Sequence, residues 1–362
     1  MKNRKLTFFV VLLWSILTLL LWFGPRAESS DAERRPLAQA PEISADSVLS
    51  GKFMSAFEDF TLDQFPLRDH FRSLKSLFHQ YILGQSDNNG IYLSKGIAAK
   101  MEYPLNPVSL KHAIDRFSYL YEQYLTDSKV FMAIVPDKGY YLAEESGHLS
   151  LDYSKLLTAF RDNLPFATQI DLTDTLTLSD YYRTDTHWKQ ENLLPAASKI
   201  AEALGISAPK IEDFTAITLQ RPFYGVYYGQ AALPMKPDSL TYLESKLLKN
   251  CRVYDHETGK TTAVYDLSME TSKDLYDVFL SGAKPLLTIE NPEAKEEKEL
   301  IIFRDSFGSS LTPLLVHDYS TITVVDIRYI NIDLLPRFID FHGQDTLFLY
   351  STLVLNSSDT IK

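Results

Sequence analysis

The amino-acid sequence predicts an α/β fold with a largely parallel sheet flanked by helices. Short apolar runs of strand length alternate with segments of helical periodicity, which is typical of this class. Residues 129–135 (Lys-Val-Phe-Met-Ala-Ile-Val) are apolar after the lysine, as expected for a parallel strand covered on both faces. The 362 residues, of which 45% are hydrophobic, suffice for one large domain or two modest ones.

Each element is predicted from its own pattern. Helices are expected where apolar residues recur three and four positions apart, and strands where a short apolar run meets a turn signal. The predicted helices are 68–83, 106–125, 154–163, 192–204 and 307–316. The predicted strands are 91–93, 129–135, 168–172, 300–303, 321–326 and 346–350. Tyrosine-rich turns and many threonines predict a β-rich insertion at 211–299.

The N-terminus predicts a membrane anchor. Lys2, Arg4 and Lys5 precede residues 6–23, which carry no charge, and Gly24-Pro25 ends the run. This length is sufficient to cross a bilayer as a helix, and the basic flank favours a cytoplasmic N-terminus. A cleavable signal peptide is the alternative. We predict a cytoplasmic tail (1–5), a single transmembrane helix (6–23), a linker (24–50) and an extracytoplasmic α/β domain (51–362).

Composition argues against several functional classes. The net charge of −11, from 47 acidic and 36 basic residues, makes the chain a poor candidate for nucleic-acid binding, which needs clustered lysine and arginine. The single cysteine, Cys251, rules out an intramolecular disulfide and a thiolate metal site. No glycine-rich phosphate loop or nucleotide fingerprint is recognisable. We therefore predict no cofactor and no metal.

Two distant segments carry the candidate chemistry. Asp185 and His187 are separated by one residue, and in an extended segment their side chains would project to the same side. The carboxylate would then accept a hydrogen bond from one imidazole nitrogen while the other nitrogen faces a nucleophile. Trp188 would pack beneath the pair. A metal site built from Asp185, His187 and Asp305 is a minor alternative.

Ser306 follows the predicted strand 300–303 and precedes the predicted helix 307–316. Ligands in open α/β sheets bind at the carboxyl ends of strands, so a serine there is suitably placed for nucleophilic attack. Backbone N–H groups at a helix start would stabilise an oxyanion. Asp305 is expected to cap the helix. An Asp-x-His segment or a serine at a helix start is common, and neither alone establishes a function.

The sequence around these residues resembles the DHHW and AlgX/AlgJ-like family, which consists of extracytoplasmic SGNH-hydrolase-like proteins. Some members O-acetylate alginate and related polysaccharides. The resemblance covers most of residues 50–362. It rests on Arg183-Thr-Asp-Thr-His-Trp-Lys189, Arg304-Asp-Ser-Phe-Gly308, Phe57-Glu-Asp-Phe60, Asp63-Gln-Phe-Pro-Leu-Arg-Asp69, Asn89-Gly-Ile-Tyr92, Val135-Pro-Asp-Lys138, Gly225-Val-Tyr-Tyr-Gly229 and Val325-Asp-Ile-Arg328.

The resemblance implies that Ser306 is the nucleophile, His187 the base and Asp185 the orienting acid. In usual SGNH hydrolases the serine comes first, whereas here it comes last, as in the circularly permuted AlgX-type members. Thr186 stands where the family name implies a first histidine. The glycine and asparagine oxyanion blocks of usual SGNH enzymes are not recognisable in this chain.

Weaker candidates lie near other strand ends and turns. Lys138 would line a cleft or lie in a solvated loop, and Arg328 would bind a carboxylate or sugar hydroxyl or form a structural ion pair. Tyr227 and Tyr228 would stack on a sugar ring or pack within a turn.

The combined prediction is an acyl-ester enzyme attached to the membrane, with a cell-surface or cell-wall polysaccharide as its partner. O-acetyl transfer is the leading reaction, for which the resemblance implies that a multispanning membrane acyltransferase supplies the acyl group. A carbohydrate esterase or deacetylase shares the first half of that reaction, so the sequence leaves it open. A non-catalytic glycan-binding protein of the cell envelope is the alternative from another class.

Overall fold

The chain is described by a computed structural model that covers residues 2–30 and 32–362. Its residues form two compact units. The first contains the residues up to 89 together with 228–235, and the second contains 90–227 and 236–362. The short helix Val226–Ala231 contains the point where the chain passes from the second unit to the first.

The first unit begins with the apolar helix Lys2–Phe23, which starts earlier than the predicted span 6–23. Within the described part of the chain, one helix is long and apolar enough to cross a membrane, and it is this one. A signal sequence has the same length and composition.

Within the predicted linker 24–50, Arg35 and Ala38 contact the helix that follows the linker or its end. The linker contains the paired strands Ser29–Ser30 and Arg35–Pro36 and the helix Ala45–Leu49. Arg35 donates to both carboxylate oxygens of Asp63 at 2.7 and 2.6 Å. These bonds attach the segment to the helix Lys52–Asp63. The next helix of the unit is Arg68–Leu77, which the π-helical turn Phe78–Ile82 continues.

The second unit is built on an eight-stranded sheet. Its strands are numbered here along the chain, and their order across the sheet is β4-β3-β5-β7-β6-β8-β1-β2. The strands are β1 (Val130–Val135), β2 (Ala167–Asp171), β3 (Arg252–Asp255), β4 (Lys260–Thr262), β5 (Leu286–Glu290), β6 (Glu299–Arg304), β7 (Thr321–Val325) and β8 (Asp345–Ser351).

The predicted mixed α/β architecture is confirmed. The pairs β7–β6, β6–β8, β8–β1 and β1–β2 are parallel. The predicted insertion does not stand apart from the sheet, because β5, β3 and β4 extend it by antiparallel pairing. This pairing buries the insertion's apolar side chains and removes the free edge of β7.

Helices and smaller elements surround the sheet. The helices of the second unit are Pro107–Leu120, Lys138–Ser146, Tyr153–Asn163, Leu194–Leu204, Lys246–Asn250, Gly308–Leu311 and Thr352–Asn356, with a π-helical turn at Tyr121–Leu125. The two-stranded sheets are Ile91–Ser94 with Ile97–Lys100 and Thr215–Thr218 with Thr241–Glu244. The 3₁₀ helices are Leu178–Asp180, Gln190–Asn192, Ile211–Asp213, Leu267–Thr271, Leu275–Val278, Thr312–Asp318, Ile332–Arg337 and Ser358–Thr360.

The sheet is covered on both faces. In β1, Phe131, Ala133 and Val135 enter one hydrophobic cluster. The alternate residues Met132 and Ile134 enter the other. This is the arrangement expected from a strand that is apolar at successive positions. The buried sheet holds the carboxyl end of β6 in a fixed place between β7 and β8.

Candidate active site

Ser306 lies two residues beyond the end of β6, as the sequence predicts. It is half-buried, whereas its neighbours from 301 to 310 are all buried. The predicted helix 307–316 is present as the short α-helix Gly308–Leu311 followed by the 3₁₀ helix Thr312–Asp318. Pro313 accounts for the change, because it lacks the N–H that an α-helix would use there.

The fold brings together the three side chains that were predicted to act together. His187 Nε2 lies 2.7 Å from Ser306 Oγ, and His187 Nδ1 lies 2.6 Å from Asp185 Oδ1. An ionised carboxylate only accepts hydrogen bonds, so the imidazole carries its proton on Nδ1. Nε2 is then the acceptor for the Ser306 hydroxyl, which is the polarity that activation of a serine needs.

The Asp185 carboxylate is buried and held from several sides. Its Oδ1 accepts the His187 backbone N–H at 3.0 Å, and its Oδ2 accepts the Val226 N–H at 2.8 Å. A Cβ on Gly225 would lie 2.2 Å from Asp185 Cβ, so only glycine permits this approach of the backbone. The segment that contains Gly225 and Val226 therefore fixes the orienting acid.

The local conformation at Asp185 differs from the predicted extended segment. Residues 183–187 form a succession of bends that a bridge between Tyr181 and Trp188 closes. Tyr182 N donates to His187 O at 3.0 Å across this loop. Asp185 and His187 meet through a side-chain turn rather than through the alternation of a strand, because the carboxylate accepts a backbone N–H two residues on.

Aromatic rings hold the imidazole. The Tyr276 ring stacks on His187 with a centroid distance of 3.9 Å and an interplanar angle of 8°. Trp188 donates through Nε1 to Ser310 Oγ at 2.9 Å, and the Tyr276 hydroxyl lies 2.8 Å from the same oxygen. Trp188 therefore contacts the turn that follows Ser306, and its role as a support for the Asp185–His187 pair stays a prediction. Sequence reasoning missed Tyr276, since nothing in its local pattern points to a histidine elsewhere in the chain.

Asp305 supports the serine loop through the backbone. Its carboxylate accepts the N–H of Phe307 at 3.0 Å and the N–H of Ser351 at 2.7 Å. It therefore ties the turn after β6 to the end of β8, in keeping with the predicted capping role. Among the described residues, no group of three or more histidine, cysteine, aspartate or glutamate side chains is placed to hold a metal ion.

Lys138 is buried rather than solvated, with an exposed fraction of 2%. Its Nζ donates to Tyr182 O at 3.0 Å and lies 4.8 Å from the centre of the Tyr227 ring. Burial lowers the pKa of Lys138 to about 7, although the nearby carboxylates of Asp185 and Asp238 favour its charged form. The lysine thus lies beneath the loop that carries Asp185 and His187.

We expect Lys138 to make stability depend on pH. Its pKa is about 7 in the folded protein and is normally 10.5, so within this window the unfolded chain binds a proton that the folded chain does not. The free energy of unfolding should therefore rise with pH, by at most about 1.4 kcal/mol per pH unit. Denaturant titrations of the full chain in detergent between pH 7 and 9 should show a smaller rise for Lys138→Met. Parallel curves for the two proteins would contradict this assignment.

The remaining candidates have structural contacts. Arg328 donates to both oxygens of Asp326, at 2.9 and 2.6 Å, which is the structural ion pair that the sequence left open. Tyr227 is buried and donates to Thr186 Oγ1 at 3.0 Å, so it packs within the loop. Tyr228 belongs to the first unit, and its role stays a prediction.

The fold and this site define a mixed α/β protein with a hydrogen-bonded serine, histidine and aspartate at a strand end. The family described as DHHW protein matches residues 176–325, which include Asp185, His187 and Ser306. This match confirms the predicted resemblance to the DHHW family. No curated protein matches the sequence.

Solved structures with TM-scores of 0.61 share the fold. A DHHW family protein from Eubacterium siraeum is 21% identical, with a TM-score of 0.61, covering 76% of this chain and 95% of that one. PatB1 from Bacillus cereus is 19% identical, also with a TM-score of 0.61, covering 75% of this chain and 98% of that one. The O-acetyltransferase domain of Pseudomonas putida AlgJ has 14% identity and a TM-score of 0.44, covering 74% and 92% of the respective chains.

Proposed function

We propose that this protein is a membrane-anchored, SGNH-like serine enzyme that acts outside the cytoplasm and transfers acetyl groups to a cell-surface or cell-wall polysaccharide. One observation carries the proposal. Ser306 Oγ lies 2.7 Å from His187 Nε2, while Asp185 Oδ1 lies 2.6 Å from the other ring nitrogen. These distances meet the geometric requirement for a serine activated by a histidine base.

In the first half of the reaction, Ser306 Oγ attacks the carbonyl carbon of an acetyl ester and His187 Nε2 takes the hydroxyl proton. The tetrahedral intermediate then breaks its bond to the leaving alcohol, which receives that proton from His187. The Ser306 backbone N–H has no acceptor within the described part of the chain and is our candidate donor to the oxyanion. The product of this half is an acetyl ester on Ser306.

In the second half, a sugar hydroxyl attacks the acetyl-enzyme. His187 takes the proton of that hydroxyl and returns it to Ser306 Oγ when the acyl–serine bond breaks. If water takes the place of the sugar, the same steps hydrolyse the ester. Asp185 stays ionised throughout and stabilises the imidazolium that forms twice in each cycle.

The relatives support the class of chemistry. PatB1 from Bacillus cereus was solved with a sulfonyl adduct, which is consistent with a reactive nucleophile on this fold. The acetyl group, the glycan acceptor and a multispanning membrane acyltransferase as acyl donor are proposed from the family resemblance stated with the sequence.

We also propose that the helix Lys2–Phe23 stays attached as a single-pass anchor. Its apolar length is sufficient to cross a bilayer, and Lys2, Arg4 and Lys5 favour a cytoplasmic N-terminus. This topology would place the chain that follows the helix on the outer side of the membrane, where the proposed polysaccharide acceptor is located.

An acyl-transfer assay tests the proposed function. The full chain in detergent is incubated with a chromogenic acetyl ester, with and without oligosaccharide acceptors, beside the Ser306→Ala variant. We expect the wild-type protein alone to release the chromophore and to form acetylated oligosaccharide when an acceptor is present. Release with no acetylated product from any acceptor would instead favour an esterase. Equal release by both proteins would contradict Ser306 as nucleophile, and the absence of any release or acyl-enzyme would favour a non-catalytic binding protein.

A further inference from the structure

The helix Arg68–Leu77 and the turn Phe78–Ile82 expose their apolar side chains instead of burying them. We call these side chains the apolar stripe. They follow each other three and four positions apart, so they lie on one face of the helix. The stripe consists of Phe71 (44% exposed), Leu74 (61%), Phe78 (50%), Tyr81 (70%) and Ile82 (69%). A contiguous exposed surface of this kind marks an interaction site.

The opposite, polar face of this helix is held inside the first unit. Ser76 has an exposed fraction of 1%, and its Oγ accepts a hydrogen bond from Asn88 Nδ2 at 2.7 Å. Arg72 donates to the backbone oxygen of Gly229 at 2.7 Å. Because polar bonds fix the helix from this side, it cannot turn its apolar stripe inward without losing them. The hydrogen bonds of the polar face therefore keep the apolar stripe exposed.

The same helix is tied to the segment that directly follows the apolar N-terminal helix. Glu33 forms ion pairs with Arg68 at 2.6 Å and with Arg72 at 3.1 Å. Glu33 lies ten positions after Phe23, the last residue of the apolar helix, so the chain limits their separation to about 35 Å even when extended. The stripe is thus kept within reach of any membrane that the N-terminal helix enters.

Contacts at the end of the N-terminal helix also keep the first unit close to the membrane that this helix would enter. The ring of Trp22 lies 6.0 Å from that of Phe57, and the Arg26 guanidinium lies 5.2 Å from the centre of the Phe60 ring. Tryptophan is favoured at the boundary between lipid and water. Phe57 and Phe60 belong to the helix Lys52–Asp63, which immediately precedes the helix of the stripe.

Charged and titratable side chains border the stripe. On a helical projection Arg68 and Lys75 fall on one side of it and His70 on the other. An apolar face with cationic borders is the pattern of a helix that lies in the plane of a membrane surface. A protein partner would also accept an apolar stripe, but the link to the N-terminal helix favours lipid.

We propose that the apolar stripe lies in the outer interfacial layer of the bilayer, at the boundary between lipid headgroups and acyl chains. The proposal rests on the membrane anchoring proposed above. Its chemical partner is the lipid surface itself, and Lys75, on the border of the stripe, would lie among the headgroup phosphates. The first unit would then contact the membrane through two elements, one that crosses it and one that lies on it.

The test uses the full chain with Leu74→Cys, labelled with an environment-sensitive fluorophore and reconstituted in phosphatidylcholine–phosphatidylglycerol vesicles. The matched control is Asp69→Cys, which is exposed on the opposite face of the same helix. Cys251 is buried, and the unmodified chain measures its background labelling. Both new sites are at the surface, so neither change disturbs a core. Quenching is measured with nitroxide-labelled lipid and with aqueous iodide.

We expect nitroxide lipid to quench the Leu74→Cys label at least about threefold more than the Asp69→Cys label, because only the former faces acyl chains. Iodide should show the reverse order. Equal quenching at the two sites would overturn the proposal, and so would a Leu74→Cys label shielded from both quenchers, since a protein would then cover the stripe. Loss of the chain from vesicles after an alkaline wash would instead show that the anchoring itself fails.

Discussion

Ser306→Ala is expected to lower both ester hydrolysis and acetyl transfer by at least about 10⁴-fold. The substitution removes the only atom that can hold the acetyl group between the two half-reactions, while His187 and Asp185 keep their mutual hydrogen bond at 2.6 Å. Initial rates with a chromogenic acetyl ester measure the loss. The mass of the intact protein after treatment with a fluorophosphonate measures the nucleophile directly, since wild type should gain one adduct and the variant none.

Ser309→Ala is the matched control for this experiment. Ser309 lies on the same turn but is buried, with an exposed fraction of 2%. It should keep most of its activity and its fluorophosphonate adduct. Loss of the adduct in Ser309→Ala together with its retention in Ser306→Ala would show that the nucleophile has been misassigned.

Asp185→Asn should have the second largest effect, with a loss of about 10³- to 10⁴-fold in the rate of acyl-enzyme formation. Asp185 accepts from His187 Nδ1 and from the backbone N–H groups of His187 and Val226. An amide has only one accepting oxygen, so its NH₂ group must face one of these donors. Whichever donor that is, the imidazole loses the negative charge that stabilises its protonated form. Where the NH₂ group faces Nδ1, the imidazole also loses the acceptor that fixes its proton there.

Burst kinetics and circular dichroism distinguish this loss of activity from misfolding. Asp185→Asn should keep the far-ultraviolet spectrum of the wild type while its acylation burst slows. The double variant Ser306→Ala/Asp185→Asn should be no slower than Ser306→Ala, because residues of one catalytic unit do not act additively. A further loss in the double variant, multiplying the two single effects, would indicate that Asp185 does not act through Ser306.

Much of the sheet could be predicted because most of its strands coincide with short apolar runs in the sequence. The expected strands 129–135, 168–172, 300–303, 321–326 and 346–350 correspond to β1, β2, β6, β7 and β8, with their ends shifted by at most one residue. Strands that alternate with helices favour parallel pairing. The antiparallel pairing of β5 with β7 could not be predicted, because it depends on which edge of the finished sheet remains open.

The site was predictable in its residue types but only partly in its geometry. Ser306 was found from its place after a strand, and Asp185 with His187 from their spacing. Their actual conformation is a bent loop that Tyr227 and Val226 brace from the insertion. Tyr276, whose ring covers the imidazole, gives no local signal at all. The side chains that contact the catalytic loop come from distant parts of the chain. Which of them do so depends on how the folded chain packs.

The sequence by itself determined the alternation of strands and helices, the apolar N-terminal segment and the identity of three chemically competent side chains. These features depend on local periodicity and residue chemistry, which a single chain displays directly. Only the tertiary structure decided that Ser306 Oγ lies 2.7 Å from His187 Nε2. It also decided that the helix Arg68–Leu77 exposes its apolar face and buries part of its polar face. Both outcomes depend on contacts between distant segments, where burial and hydrogen bonding across the fold outweigh local preference.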